Sequence, residues 1–140
     1  MLPPTPTPHA TTILVAEHEH PVCDMVCDVL RTGDWKVIRA DDGQQALRMA
    51  AALGSEVDLL VTDVVLPGFY GWELAELMKL DWPHLKVLYI SPHLDKGILN
   101  LCESMFVLLV KPFDCRALLR CVRAVLRTRS LKASPLPQWL

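Results

Sequence analysis

The chain has no apolar run near the about 20 residues that a membrane-spanning helix needs. Its N-terminus also lacks a basic stretch followed by an apolar one. These absences set the expectation of a soluble protein that is not secreted, and its cysteine usage sets that of the cytoplasm. No CxxC pair occurs, and the cysteines (Cys23, Cys27, Cys102, Cys115 and Cys121) are odd in number. Cys23 and Cys27, four apart in a helical pattern, could hold a metal, but the commoner role is that of small hydrophobes in a reducing compartment. Basic excess is missing too: the formal charge is −2 and the pI about 6.2, so the whole chain presents no field for nucleic acid. There is no internal repeat. No Gly-rich phosphate loop follows the first apolar run, which leaves a nucleotide or flavin binder without support.

What the chain does have is apolar weight, 51% of 140 residues, enough for one packed domain. Residues 1–11, MLPPTPTPHAT, read as a flexible or polyproline-like lead-in, residues 12–128 as the domain and residues 129–140 as a tail. The central stretch is VDLLVTDVVLPGFYG, Val57 to Gly71. Its apolar run ends on Asp63 and breaks into a Pro67-Gly68 turn, the pattern of a strand buried on both faces of a parallel sheet. Further strands are expected over 12–16, 35–39, 85–90 and 106–110, with helices over 21–31, 42–53, 71–80, 93–104 and 114–127. Pro21 suits the first turn of its helix and Gly33 is expected to close it, while Asp42 can cap the next.

Alternation of this kind predicts an α/β fold: a doubly wound, five-stranded parallel sheet of flavodoxin-like order 2-1-3-4-5 with helices on both faces. In such sheets reactive groups gather at the carboxyl ends of the strands. There the chain places Glu17 and His18 after the first strand, Asp63 at the third, Ser91 at the fourth and Lys111 at the fifth. Taken alone, Asp63 could simply cap the loop or the next helix. Together, carboxylates, a hydroxyl and an ammonium at one rim suit a phosphoryl group and its metal, because hard oxygens hold Mg²⁺ and lysine neutralises a phosphate oxygen.

The segments ILVAEHEHPV, LLVTDVVLPGFYGWEL, VLYIS and LLVKPF together resemble the receiver domain of two-component response regulators, the CheY-like family. Their wording is most similar to receivers of hybrid sensor histidine kinases. The resemblance spans about Thr12 to Arg127. It implies that Asp63 is the phospho-acceptor, taking a phosphoryl group from a phosphohistidine on a sensor histidine kinase or phosphotransfer protein. It also implies that Glu17, Asp63 and the backbone carbonyl of Val65 hold Mg²⁺. Lys111 would pair with Asp63 and then with the phosphate, Ser91 would bond the phosphoryl group, and Pro112 would follow a cis peptide bond. The implied activity is not enzymatic beyond assisting the protein's own phosphorylation and dephosphorylation. Output would pass through a downstream protein partner, with no direct nucleic acid or membrane contact.

Two positions depart from the family pattern. His18 stands where a second metal-binding acid is usual, so the site loses a hard ligand and a negative charge, and Mg²⁺ affinity is expected to fall. His18 is a reasonable ligand for zinc or another transition metal, with Glu19 and His20 adjacent. It could instead hydrogen-bond Asp63 as a loop residue, or as a cation substitute in part for the metal. Leu108 stands where an aromatic switch residue is common, which leaves that route of activation without its ring. The alternative function is a degenerate pseudo-receiver, a phosphorylation-independent interaction module. Hydrolysis lacks a separate nucleophile–base pair. A homodimer through the face of the fourth helix, fifth strand and fifth helix is also expected, from the apolar weight of Leu99, Leu101, Met105 and Leu119.

Overall fold

The computed structural model describes residues 10–92 and 107–128. The expected lead-in up to residue 9, the helix over 93–104 with Leu99, Leu101 and Met105 of the dimer face, and the tail from 129 lie outside the described residues. The elements are β1 (Thr12–Ala16), α1 (His20–Arg31), β2 (Lys36–Ala40), α2 (Gly43–Ala52), β3 (Leu59–Asp63), β4 (Val65–Leu66), β5 (Phe69–Tyr70), α3 (Gly71–Asp81), β6 (Lys86–Ser91), β7 (Val107–Val110) and α4 (Cys115–Arg127).

Five strands form one parallel sheet in the order β2-β1-β3-β6-β7. This is the expected order once the small β4–β5 pair is set aside. Successive side chains of the central strands point to opposite faces, and both faces are covered. Ile13, Val15, Leu59, Val61, Leu88 and Ile90 pack with Val26, Leu30, Leu118 and Val122 of α1 and α4. Leu14, Ala16 and Leu60 pack on the other side with Ala46, Ala50, Leu74 and Met78 of α2 and α3. A strand buried on both faces has no polar side to show, which is why β1 and β3 read as unbroken apolar runs.

The helix ends follow local chemistry. Asp42 and Asp114 cap α2 and α4, their side chains accepting from the N–H groups of Gln45 and Ala117, each at 2.7 Å. Gly33 does not close α1 by turning left-handed. The helix ends on Thr32, whose hydroxyl donates to the Val29 carbonyl at 2.6 Å. Gly33 is needed instead for space, since a Cβ there would stand 2.9 Å from the Trp35 ring. The Pro67-Gly68 turn forms as expected, with Gly68 at φ 74°. It closes an antiparallel pair, β4 with β5, that the sequence reading did not contain, because two residues per strand carry no periodicity.

Candidate functional site at the carboxyl rim of the sheet

Each site residue sits where a strand runs out. Glu17 follows β1, and its N–H donates to the Ala40 carbonyl at the end of β2 (3.2 Å). Asp63 is the last residue of β3, with Val64 N–H donating to the Ile90 carbonyl (2.9 Å) of β6. Ser91 ends β6 and is buried, its carbonyl accepting from Lys111 N–H (2.8 Å) as β7 ends. The Lys111–Pro112 bond is cis, as expected.

The structure brings Glu17, His18, Asp63 and Lys111 into one cluster. Lys111 Nζ lies 3.1 Å from Asp63 Oδ1, 3.1 Å from Glu17 Oε2 and 2.9 Å from Glu19 Oε1. His18 Nδ1 is 2.9 Å from Asp63 Oδ2 and 3.7 Å from Glu17 Oε1. Glu17 and Asp63 are buried, whereas the His18 side chain is 43% exposed. Glu19 is a member that the sequence reading assigned only to a possible metal site; its acid beside the rim was the available signal. Its N–H also donates to Glu17 Oε1 (3.0 Å). Val65 lies two residues past Asp63 in β4 and is exposed.

The charges are unevenly satisfied. Burial, reinforced by the hydrogen bond and charge of Asp63, raises Glu17 to about 7, against the lowering effects of the Glu19 N–H and of Lys111. Burial pulls the Lys111 ammonium down, but Glu19, Asp63 and Glu17 outweigh it and the net shift is upward. Glu19, on the surface, is lowered by its bond to that ammonium. One lysine among three carboxylates cannot neutralise all of them, and the most deeply buried acid is the one pushed toward its protonated form.

Gly71, expected only as the start of a helix, has a further role beside Asp63. A Cβ there would overlap the carbonyl oxygen of Asp63 and stand 3.1 Å from Thr62 Cγ2. Helix α3 can therefore start against the end of β3 only without a side chain at its first position. Tyr70 N–H donating to Glu73 Oε1 (2.9 Å) fastens the same helix start.

An α/β sheet of this order with an acid–lysine cluster at its carboxyl rim defines a class, and the comparisons with known proteins name it. The family model described as the response regulator receiver domain matches residues 13–123, and the chain belongs to that family. It is 30% identical over 112 residues to the response regulator protein FleR of Pseudomonas aeruginosa, covering 79% of this chain and 23% of FleR. It is also 30% identical to the sensor kinase CckA of Brucella abortus, over 84% of this chain and 13% of CckA. The chain thus spans less than a quarter of these two relatives. Among solved structures, the receiver domain of the hybrid histidine kinase CckA has a TM-score of 0.70 at 29% identity, covering 83% of this chain and 99% of that one. A receiver protein from Sinorhizobium medicae has a TM-score of 0.75 at 26% identity, covering 86% and 97%.

Receiver domains generally bind Mg²⁺, and Glu17, His18 and Asp63 offer ligand atoms within 4.8 Å of one another. Mg²⁺ takes an octahedron of oxygens. Glu17 and Asp63 supply two such oxygens, but the third corner of the triangle is an imidazole nitrogen. With a nitrogen where an all-acid set would have a third hard oxygen, these donors fit Mg²⁺ less well than they fit a borderline cation.

Proposed function

We propose that this protein is a phospho-accepting receiver in a two-component relay, taking a phosphoryl group on Asp63 from a phosphohistidine of a sensor histidine kinase or phosphotransfer protein. The observation that carries this reading is the pairing of Asp63 Oδ1 with Lys111 Nζ at 3.1 Å at the end of β3. A carboxylate oxygen attacks phosphorus, the phosphorus–nitrogen bond breaks, and its electron pair leaves on the donor imidazole. Lys111 neutralises charge gathering on the phosphoryl oxygens. Ser91, buried at the adjacent strand end, is the hydroxyl that bonds the bound group. The domain assists this transfer and its reversal and is otherwise not an enzyme. It works in the cytoplasm and signals by changed contacts with a downstream protein.

One observation favours a second reading, a pseudo-receiver used as a phosphorylation-independent interaction module. With His18 Nδ1 at 2.9 Å from Oδ2 and Lys111 at 3.1 Å from Oδ1, both oxygens of Asp63 are engaged. Intact mass after incubation with a small phosphodonor, in separate samples with Mg²⁺ and with Co²⁺, separates the two. One added phosphoryl group in the wild type, absent in Asp63→Asn, supports the receiver. Acceptance by His18→Asp but not by the wild type supports the second reading. A folded wild type and His18→Asp that both stay unmodified would rule out the proposed transfer.

A further inference from the structure

Three side chains at the rim form a mixed nitrogen and oxygen triangle: His18 Nδ1, an Asp63 oxygen and a Glu17 oxygen. Ligands bound at about 2.0–2.1 Å stand roughly 3.3 Å apart around a tetrahedron and roughly 3.0 Å apart around an octahedron. The His18 separations, 2.9 Å to Asp63 Oδ2 and 3.7 Å to Glu17 Oε1, bracket those values. All three atoms lie within 4.8 Å of one another, so side-chain rotation can bring them onto one small cation.

Three further observations point the same way. Glu17 Oε2 is fully buried and accepts no hydrogen bond, although Lys111 Nζ is 3.1 Å away. That ammonium is shared with two other carboxylates, so a second cation would relieve a buried oxygen short of hydrogen bonds. Lys111 Nζ contacts Asp63 Oδ1, Glu19 Oε1 and both Glu17 oxygens, leaving Asp63 Oδ2 on the side where His18 stands. The His18 side chain is 43% exposed, so the cluster has an entry path and room for water in the remaining positions.

We infer that Glu17, His18 and Asp63 form a site for a borderline transition cation of the zinc or cobalt type, with His18 as the ligand that sets the preference against Mg²⁺. The inference rests on the reading of this cluster as the receiver's cation site. Imidazole suits zinc and its neighbours, whereas Mg²⁺ and Ca²⁺ take oxygen. Two carboxylates and one imidazole leave open positions, the arrangement of a reactive rather than a closed structural site.

The test uses the full chain, stripped of metal and without any phosphodonor, so its failure is distinct from a failure to accept phosphate. Co²⁺ is titrated while its visible ligand-field bands are followed, and Zn²⁺ and Mg²⁺ affinities are measured by calorimetry, for the wild type, His18→Asp and His18→Ala. Expected are one saturable Co²⁺ site and Zn²⁺ binding roughly 100-fold tighter than Mg²⁺. His18→Ala should lose that margin and His18→Asp should move it toward Mg²⁺. Cys115 is exposed and can take these ions by itself, but the thiol is common to all three proteins and gives Co²⁺ an intense near-ultraviolet band that the proposed site lacks. Mg²⁺ binding as tight as Zn²⁺ in the wild type overturns the inference, as does Zn²⁺ or Co²⁺ binding unchanged in His18→Ala. Thermal melting of each variant establishes that the comparison is between folded proteins; a variant that does not fold is replaced by His18→Asn, read by the same criteria.

Discussion

Lys111 Nζ lies 3.1 Å from Glu17 Oε2, joining residues 94 positions apart in the chain across the rim of the sheet. Only 11% of the lysine side chain is exposed and none of the glutamate. Removing one partner of such a pair leaves the other charge buried without compensation. Lys111→Met is expected to cost about 3 kcal/mol of stability in denaturant unfolding, and Glu17→Gln added to it should recover a clear part of that loss. Strictly additive effects in this double-mutant cycle would show that the contact carries no coupling.

The same glutamate gives the protein a pH dependence. Its raised value, about 7 against an ordinary 4.5, means the folded chain holds a proton that the unfolded chain has released between those limits. The stabilisation from this group is fully present below about pH 4.5 and is lost as pH rises through about 7. Metal-free protein in chelator should lose up to about 3 kcal/mol from this group alone across that window. Glu17→Gln should flatten that part of the profile. An identical profile for wild type and variant would refute the assignment.

Gly71 is predicted to be the least replaceable of the described glycines. Gly71→Ala pushes a methyl group into the Asp63 carbonyl, a backbone atom that cannot swing aside. The expected cost is more than about 2 kcal/mol, with slower phosphoryl acceptance because Asp63 itself is displaced. Gly54→Ala makes the contrast: its φ of 62° is strained for alanine, but nothing lies within 4 Å. Its cost should be about 1 kcal/mol, without effect on the site.

Thiol reactivity should follow burial and not acidity. Cys27 is lowered by the hydrogen bond from Cys23, and Cys23 is raised by the same contact. Both are fully buried on the inner face of α1, whereas Cys115 is exposed. Mass-mapped alkylation of the native protein should modify Cys115 before Cys23 or Cys27. Reaction of Cys27 as fast as Cys115 would show that α1 opens readily from the sheet.

The sequence by itself determined the layers of this protein. Apolar runs such as Ile13–Ala16 and Leu59–Val61 are short, bounded by turn residues and without polar alternation, so they read as strands covered on both faces, and the helices between them supply the covers. The strand ends then place Glu17, Asp63, Ser91 and Lys111 at one rim, and the Pro67-Gly68 turn is plain from its residues. Tertiary structure alone decided how the rim charges share one another. Which acid the single ammonium favours, and which one burial pushes toward its proton, depends on distances between residues far apart in sequence. That Lys111 reaches Glu19, that His18 turns Nδ1 onto Asp63, and that Gly71 must lack a side chain follow from a few ångströms of through-space geometry. Local patterning fixes which way a side chain faces; only the packed chain fixes what it meets there.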